Sequence, residues 1–423
     1  MNSVYGHQVR DHDRSGADLG ALLEQVEAAA PTDAIEVVAA ELAATVGARA
    51  VSLLIADFSG RALVRFSTGA SGAPGVRRRG AEKAETVPLG GTAYERVLRT
   101  QQVNVEELAE GVRLIVPVTD RGDAIGVIEL IVPGTPDEQV VADVAATAHA
   151  LAYVIIANRR HTDLFEWGQR TTPFSLAAEI QRRLLPTSYT CEAGQFTLAG
   201  WLEPASTVGG DTFDYNLDRE ALQLSITDAV GHEVEAALLA TLLVGSLRNS
   251  RRRGVAFADQ AASANDALAA HARIGQFVTG QLLRVDLHLG TAVIINAGHP
   301  LPLRLRNGRV EEVPLDIDLP FGLQPDRSFR VQRFPLEPGD RLVFVTDGML
   351  ERNAAQLDVT ETLRHTGHLH PRELVQALGA SVLHATGGDL RDDATVVVLD
   401  WYGGGPSRRR DSTGGANQHH TSP

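Results

Sequence analysis

The chain has 423 residues, 43% of them hydrophobic and 22% charged, with a formal net charge of -14. That length exceeds one ordinary domain and leaves room for a sensor beside an effector; the acidic balance, with no long Lys/Arg cluster outside Arg251–Arg253 and the tail, excludes a nucleic-acid footprint. No uninterrupted apolar run reaches the roughly 20 residues that span a bilayer, the start MNSVYGHQVRDHDR lacks a signal-peptide hydrophobic region, and the lone cysteine, Cys191, excludes an internal disulfide and a cysteine-built zinc site, so a soluble, cytoplasmic, membrane-free protein is expected.

Residues 1–30 read as a polar N-terminal segment, and 404–423 as a disordered tail too rich in Gly and polar residues to bury anything. From about Asp33 the stretch AIEVVAAELAATVG predicts a helix that ends at Gly47. Strand candidates AVSLLIAD, RALVRFS, RLIVPVT and IGVIELIV follow, the last two joined by the turn-rich TDRGDA as a hairpin, with a loop region before them. Residues 31–160 thus predict a small α/β module. With RLIVPVTDRGDAIGVIEL near its end, the segment resembles a GAF domain, a fold that senses small molecules or signals. No cysteine lies there to anchor a bilin, and a GAF-like dimerisation block without ligand stands beside the sensor reading.

From Glu138 the chain turns helical, and Val141, Val144, Ala148, Leu151 and Ile155 form a short heptad seam. It either pairs two chains into a homodimer or packs on its own sheet. Residues 161–186 predict a helical linker whose second helix follows the hydroxyl cap and proline of Thr171-Thr172-Pro173, places Leu176, Ile180 and Leu184 on one face and stops at Pro186.

Residues 187–403 change to many strands, among them QFTLAGWLE, ALQLSITDA, TAVIINAG, DRLVFVTDG and DATVVVLDW, with an Asn307-Gly308 hairpin turn and helices near 232–250, 255–272 and 371–385. The expected class is α+β, with this half a sheet sandwich flanked by helices. Acids stand at predicted strand ends: Asp211 in VGGD, Asp228 in SITDAVGH, Asp347 in FVTDGML, and Asp392-Asp393 in RDDATVVV. One such Asp beside Gly reads as a turn residue. Several from distant strands make an oxygen-rich donor set for two hard cations, Mn²⁺ or Mg²⁺, with no His/Cys cluster competing for a softer metal. Two ions about 4 Å apart lower the pKa of a shared water and clamp a phosphoryl group.

VGGDTFDY also looks like the start of the GGDEF hairpin of diguanylate cyclases. A cyclase needs a second metal aspartate upstream, where this chain has the linker GQRTTPF, and it has no use for the later aspartates. The set AAEIQRRLLP, PASTVGGDTFD, TDAVGHEVEAALLA, FVT, NAGHP, PGDRLVFVTDGMLE and DDATVVVL instead resembles, in family order, the SpoIIE/RsbU branch of the protein phosphatase 2C-like serine/threonine phosphatases, whose fold is an α-β-β-α sandwich. The resemblance implies that Asp211, Asp228, the Ala229 carbonyl, Asp347 and Asp392 hold two metals, with Asp393 as a further ligand. It implies a phosphoserine or phosphothreonine substrate on a STAS-type anti-sigma-factor antagonist, and a linker helix that switches a dimer. Gly231-His232-Glu233 departs from the family's GHG, and Thr212 stands where an aromatic is common. His232 and His299 lie in Gly-bounded turns and read as loop-shaping residues; Asp316 and Asp318 read as a loop, with Pro320 breaking the aspartyl-phosphate pattern. The alternative function is a phosphatase-like switch that binds and sequesters its partner, which a metal titration separates from the enzyme.

Overall fold

The computed structural model describes residues 18–58, 60–69, 85–171, 174–204, 209–231, 233–350, 359–387, 390 and 392–404, with the side chains of 67–69 excepted. The expected tail falls almost wholly outside them. The chain divides into two units, the first running to Thr171 apart from Arg121–Asp123, which fall with the second, and the second from Thr172.

The first unit contains α1 (Leu19–Ala28), α2 (Ala34–Val46), β1 (Ala50–Ala56), β2 (Ala62–Gly69), β3 (Thr86–Pro88), α3 (Ala93–Thr100), β4 (Asn104–Leu108), β5 (Gly111–Asp120), β6 (Asp123–Val132), α4 (Glu138–Asn158) and α5 (Leu164–Gly168). Its six strands form one sheet in the order β3-β2-β1-β6-β5-β4. Period-2 alternation sorts the faces: Val51, Leu53, Ile55, Leu114, Val116, Ile128 and Leu130 pack with α1, α2 and α4, while Leu54, Leu63, Ile115 and Val127 pack under Tyr94 and Val97 of α3. The helix expected to end at Gly47 does so, with Gly47 at φ 65.

Three expectations change here. The segment 1–30 is not uniformly a polar lead, because α1 is capped by Asp18 and buries Leu22 in the sheet's larger core. The loop region before the hairpin holds β3, α3 and β4, all short enough to leave little periodic signal. The linker 161–186 is divided between the units: Phe165 of α5 is buried in the first unit's core, while the next helix belongs to the second unit.

The helix α4 is long and apolar enough to cross a bilayer by length and composition, although no uninterrupted apolar run signals it. Val144, Ala148, Leu151 and Ile155 are buried in the unit's own core with Val141 partly covered, so the seam packs on its own sheet.

The second unit contains α6 (Leu176–Leu184), β7 (Thr190–Glu192), β8 (Phe196–Glu203), β9 (Thr212–Leu217), β10 (Ala221–Ala229), α7 (Glu233–Arg252), α8 (Phe257–Ala269), β11 (Val278–Asp286), β12 (Thr291–Ala297), β13 (Leu303–Arg306), β14 (Arg309–Glu312), β15 (Gln332–Pro335), β16 (Arg341–Val345), α9 (Val359–Thr366), α10 (Pro371–Ala385) and β17 (Ala394–Trp401). One sheet runs β15-β12-β11-β10-β9 and the other β14-β13-β16-β17-β8-β7. Inward residues of both, including Phe196, Leu198, Phe213, Leu224, Phe344 and Trp401, fill the layer between them together with Cys191. The outer face of the five-stranded sheet is covered by Leu239, Leu243 and Leu247 of α7 and Leu268 of α8, and that of the six-stranded sheet by Leu374, Leu378 and Val382 of α10. The layers therefore run helix, sheet, sheet, helix. Asn307 and Gly308 both take positive φ, 51 and 74, at the β13–β14 turn, as a tight hairpin requires.

The linker's second helix starts later than expected. Its cap is Ser175, whose hydroxyl oxygen accepts from Ala178 N, and the face it buries is Ala177, Gln181 and Leu184, with Leu176 64% exposed. Arg248 fastens the far end of this helix, donating to the Leu184 carbonyl and, at 2.9 Å, to Asp214, which also accepts from Arg251.

Candidate active site

Antiparallel pairing brings the aspartates to one end of the sandwich. Asp211 immediately precedes β9 and Asp228 is the last residue but one of β10, strands that pair with Thr212 opposite Thr227. Asp347 follows β16 and Asp392-Asp393 precede β17, which pair with Val345 opposite Val396. The expected β-strand ends are thus the same two strand pairs, one in each sheet.

Glycine permits the close approach. A Cβ on Gly210 would stand 2.5 Å from the Ala229 carbonyl oxygen, and one on Gly348 2.0 Å from that of Asp393. The glycines of GGD and TDG are therefore packing requirements between the loops that carry the acids.

Hydrogen bonds then fix the loops. Asp211 Oδ2 accepts from the hydroxyls of Thr346 (2.7 Å) and Thr395 (2.6 Å), and the Thr346 hydroxyl accepts from Thr395 N at 3.0 Å. Asp393 Oδ2 accepts from Gly210 N (3.0 Å), Asp211 N (3.3 Å) and Gln181 Nε2 (2.7 Å), and Gln181 Nε2 also reaches the Asp211 carbonyl at 2.8 Å. Thr212, in the place of the family's aromatic, shares a 2.6 Å hydroxyl bond with Thr227.

The acids repel one another. Burial, then Asp228 and Asp393, hold the Asp211 carboxyl well above its ordinary range. Burial, then Asp347, Asp392 and Asp393, push Asp228 up to about 7. Asp211 and Asp393 are buried, Asp228 and Asp392 half-buried, and Asp347 exposed, so the cluster grades from the sheet interior to solvent.

These carboxylates and the Ala229 carbonyl are all hard oxygen donors, and two of the acids are destabilised by like charge, which suits a divalent cation. Among the described residues no three His, Cys, Asp or Glu side chains already stand at metal-binding distance. Oδ2 of Asp211 and Oδ2 of Asp393 are turned to hydroxyl and amide donors instead. Asp228, Asp347 and Asp392 stand nearer to solvent at the mouth.

The two histidines separate. His232 lies outside the described residues. His299 is 2% exposed, shares a 2.9 Å bond between Nδ1 and the Thr279 hydroxyl, and is lowered to about 3 by burial, which keeps the imidazole neutral and removes it as a proton donor at neutral pH. Asp318 is a loop anchor as expected, accepting from Arg330 N and Nε. Glu233, in place of the family's glycine, takes φ 57, a left-handed conformation that glycine adopts without strain. Sequence reasoning missed Gln181, whose burial on α6 has no signal beyond its lying within AAEIQRRLLP.

Residues 218–402 match the family described as Stage II sporulation protein E (SpoIIE), a match that begins after Asp211. The chain is 21% identical over 232 residues to phosphoserine phosphatase RsbU of Bacillus subtilis (strain 168), covering 53% of this chain and 68% of RsbU. It is 24% identical over 257 residues to protein IcfG of Synechocystis sp., covering 52% of this chain and only 40% of IcfG. The crystal structure of the RsbU and RsbW domains of Rv1364c from Mycobacterium tuberculosis aligns with a TM-score of 0.43 at 23% identity, covering 51% of this chain and 63% of that one. Residues 218–402, less than half of the chain, are thus similar to a phosphatase domain of the SpoIIE type.

Proposed function

We propose that the chain is a metal-dependent protein-serine/threonine phosphatase that hydrolyses phosphoserine or phosphothreonine on a small regulatory protein of the STAS type. One observation carries this reading: Asp211, Asp228, Asp347, Asp392 and Asp393, separated by up to 182 residues, interact at one end of the sandwich. Asp228, Asp347, Asp392 and the Ala229 carbonyl would hold two Mn²⁺ or Mg²⁺ ions with Asp211, while Asp393 keeps the Gly210-Asp211 backbone in place. The ions would supply an activated water and a clamp on the phosphoryl group. Similarity to RsbU supports the phosphoserine substrate, and the first unit would serve as a GAF-like regulatory module. The exposed Tyr153 and Ile156 on the outer side of α4 leave a face on which two chains could pair.

The test is phosphate release from a serine-phosphorylated STAS-type protein. Turnover is expected with Mn²⁺ or Mg²⁺ and its loss on chelation; turnover that survives chelation would remove the two-metal assignment.

The acidic cluster also predicts a pH signature. A carboxyl whose folded pKa is raised from 3.8 to about 7 binds its proton more tightly folded than unfolded. Its contribution therefore falls as pH rises from about 4 to about 7 and is fully unfavourable above that range. Asp211 acts in the same direction. Metal-free protein should melt lower at about pH 8 than at about pH 5, Asp228→Asn should narrow that gap, and saturating Mn²⁺ should close it. Thermal melts in chelator at the two pH values check this; an equal gap in Asp228→Asn rules out Asp228 as a source.

A further inference from the structure

The turn between α8 and β11 carries Ile274, which at 107% relative exposure is the most exposed large apolar side chain among the described residues. The turn is well fastened. Arg273 N donates to Gln276 Oε1 at 2.9 Å and Gln276 N to the Arg273 carbonyl at 3.0 Å, with Gly275 at φ 87. Arg273 Nη1 and Gln276 Nε2 both donate to Glu235 in the first turn of α7, at 2.8 and 3.3 Å. Val230 N donates to the Phe277 carbonyl at 3.0 Å, tying the same turn to the segment that leaves Asp228.

The isoleucine is thus held out on a turn tied both to the start of α7 and to the segment that leaves Asp228. Leu238, one helical turn past Glu235, is 52% exposed, and Val230, two residues past Asp228, is 38% exposed. Leu350 stands exposed three residues past Asp347, and Asp347 faces Asp228. Arg273 and Glu235 pair with each other at 2.8 Å, and the side chains of Ile274, Leu238 and Val230 around them are apolar. A small phosphate ester can engage the carboxylate site without touching any of these side chains. A protein that delivers a phosphorylated side chain to Asp228 brings surface to Val230, two residues on, and to the turn that Val230 N ties to it.

We propose that Ile274, Leu238 and Val230 form a docking ridge for aliphatic surface beside the phosphorylated residue of a folded phosphoprotein, so that this ridge selects proteins over small phosphate esters. The proposal rests on the phosphatase reading and assigns the determinant of its substrate class.

The experiment uses the full chain with Mn²⁺ and two probes, p-nitrophenyl phosphate and a serine-phosphorylated STAS-type protein, with Ile274→Asp and Ile274→Leu. Ile274 touches no core, so the aspartate variant is expected to fold. Removing its burial should raise KM for the phosphoprotein by about 10-fold or more, with p-nitrophenyl phosphate turnover unchanged and Ile274→Leu close to wild type. An unchanged phosphoprotein KM in Ile274→Asp, an equal loss on both probes, or wild-type turnover of the aryl phosphate alone would overturn the ridge. If wild type cleaves neither probe, the phosphatase reading falls and the ridge as a substrate dock falls with it.

Discussion

Replacing Asp347 with asparagine is expected to lower phosphate release by at least about 100-fold while leaving the thermal midpoint nearly unchanged. Mutating groups that merely orient a ligand costs about 10–100-fold in affinity or activity, so losing a carboxylate that holds the metal itself should cost more. The fold should tolerate the change because Asp347 is exposed at the mouth, and its backbone carbonyl, which accepts from Leu350 N at 2.7 Å, is kept by asparagine. The measurement is phosphate release with Mn²⁺ beside a melt of the metal-free variant. Wild-type turnover in Asp347→Asn would remove this aspartate from the site. A silent wild type that binds no divalent ion would favour the sequestering alternative, for which Glu233, at φ 57 where the resembling family has glycine, is the feature that speaks.

The gathering of Asp211, Asp228, Asp347 and Asp392 at one end of the sandwich is legible because each motif couples an acid to a strand end and, in most cases, a glycine. The structure gives that coupling a cause: Gly210 and Gly348 admit the Ala229 and Asp393 carbonyls at distances no Cβ allows. Long periodic elements were legible for a similar reason. The stretch ALQLSITDA is β10 residue for residue, and Asn307-Gly308 pins the β13–β14 register. Short elements were not. With three residues in β3 and five in β4, too few alternations exist to read a period.

The buried face of α6 is not the one its apolar spacing marks. Leu176, Ile180 and Leu184 satisfy the apolar spacing of a buried stripe, yet the helix buries Ala177, Gln181 and Leu184. Hydrophobicity ranks Gln181 as a surface residue. It is inside because two acceptors on distant strands, the Asp211 carbonyl and the Asp393 carboxylate, are positioned to receive its amide, and no local pattern encodes them.

That placement makes Gln181→Ala the second large effect. The substitution removes one of the three donors to Asp393 Oδ2 and the partner of the Asp211 carbonyl, both in a buried setting. Leaving such groups unsatisfied costs about 1–3 kcal/mol. Because these atoms set the backbone that presents Asp211, Gln181 is a positioning residue, and its loss should weaken Mn²⁺ dependence by about 10–100-fold in the concentration giving half-maximal turnover. Excess Mn²⁺ should then recover much of the maximal rate, which a purely structural defect would not allow. The helix is also fastened independently, through Arg248 to the Leu184 carbonyl and Asp214, so α6 should stay in place when the glutamine is lost. A metal titration of phosphate release in wild type and Gln181→Ala decides the matter. An unchanged half-maximal Mn²⁺ concentration would make α6 a spacer, whereas the expected shift would make it a positioning element of the acidic site.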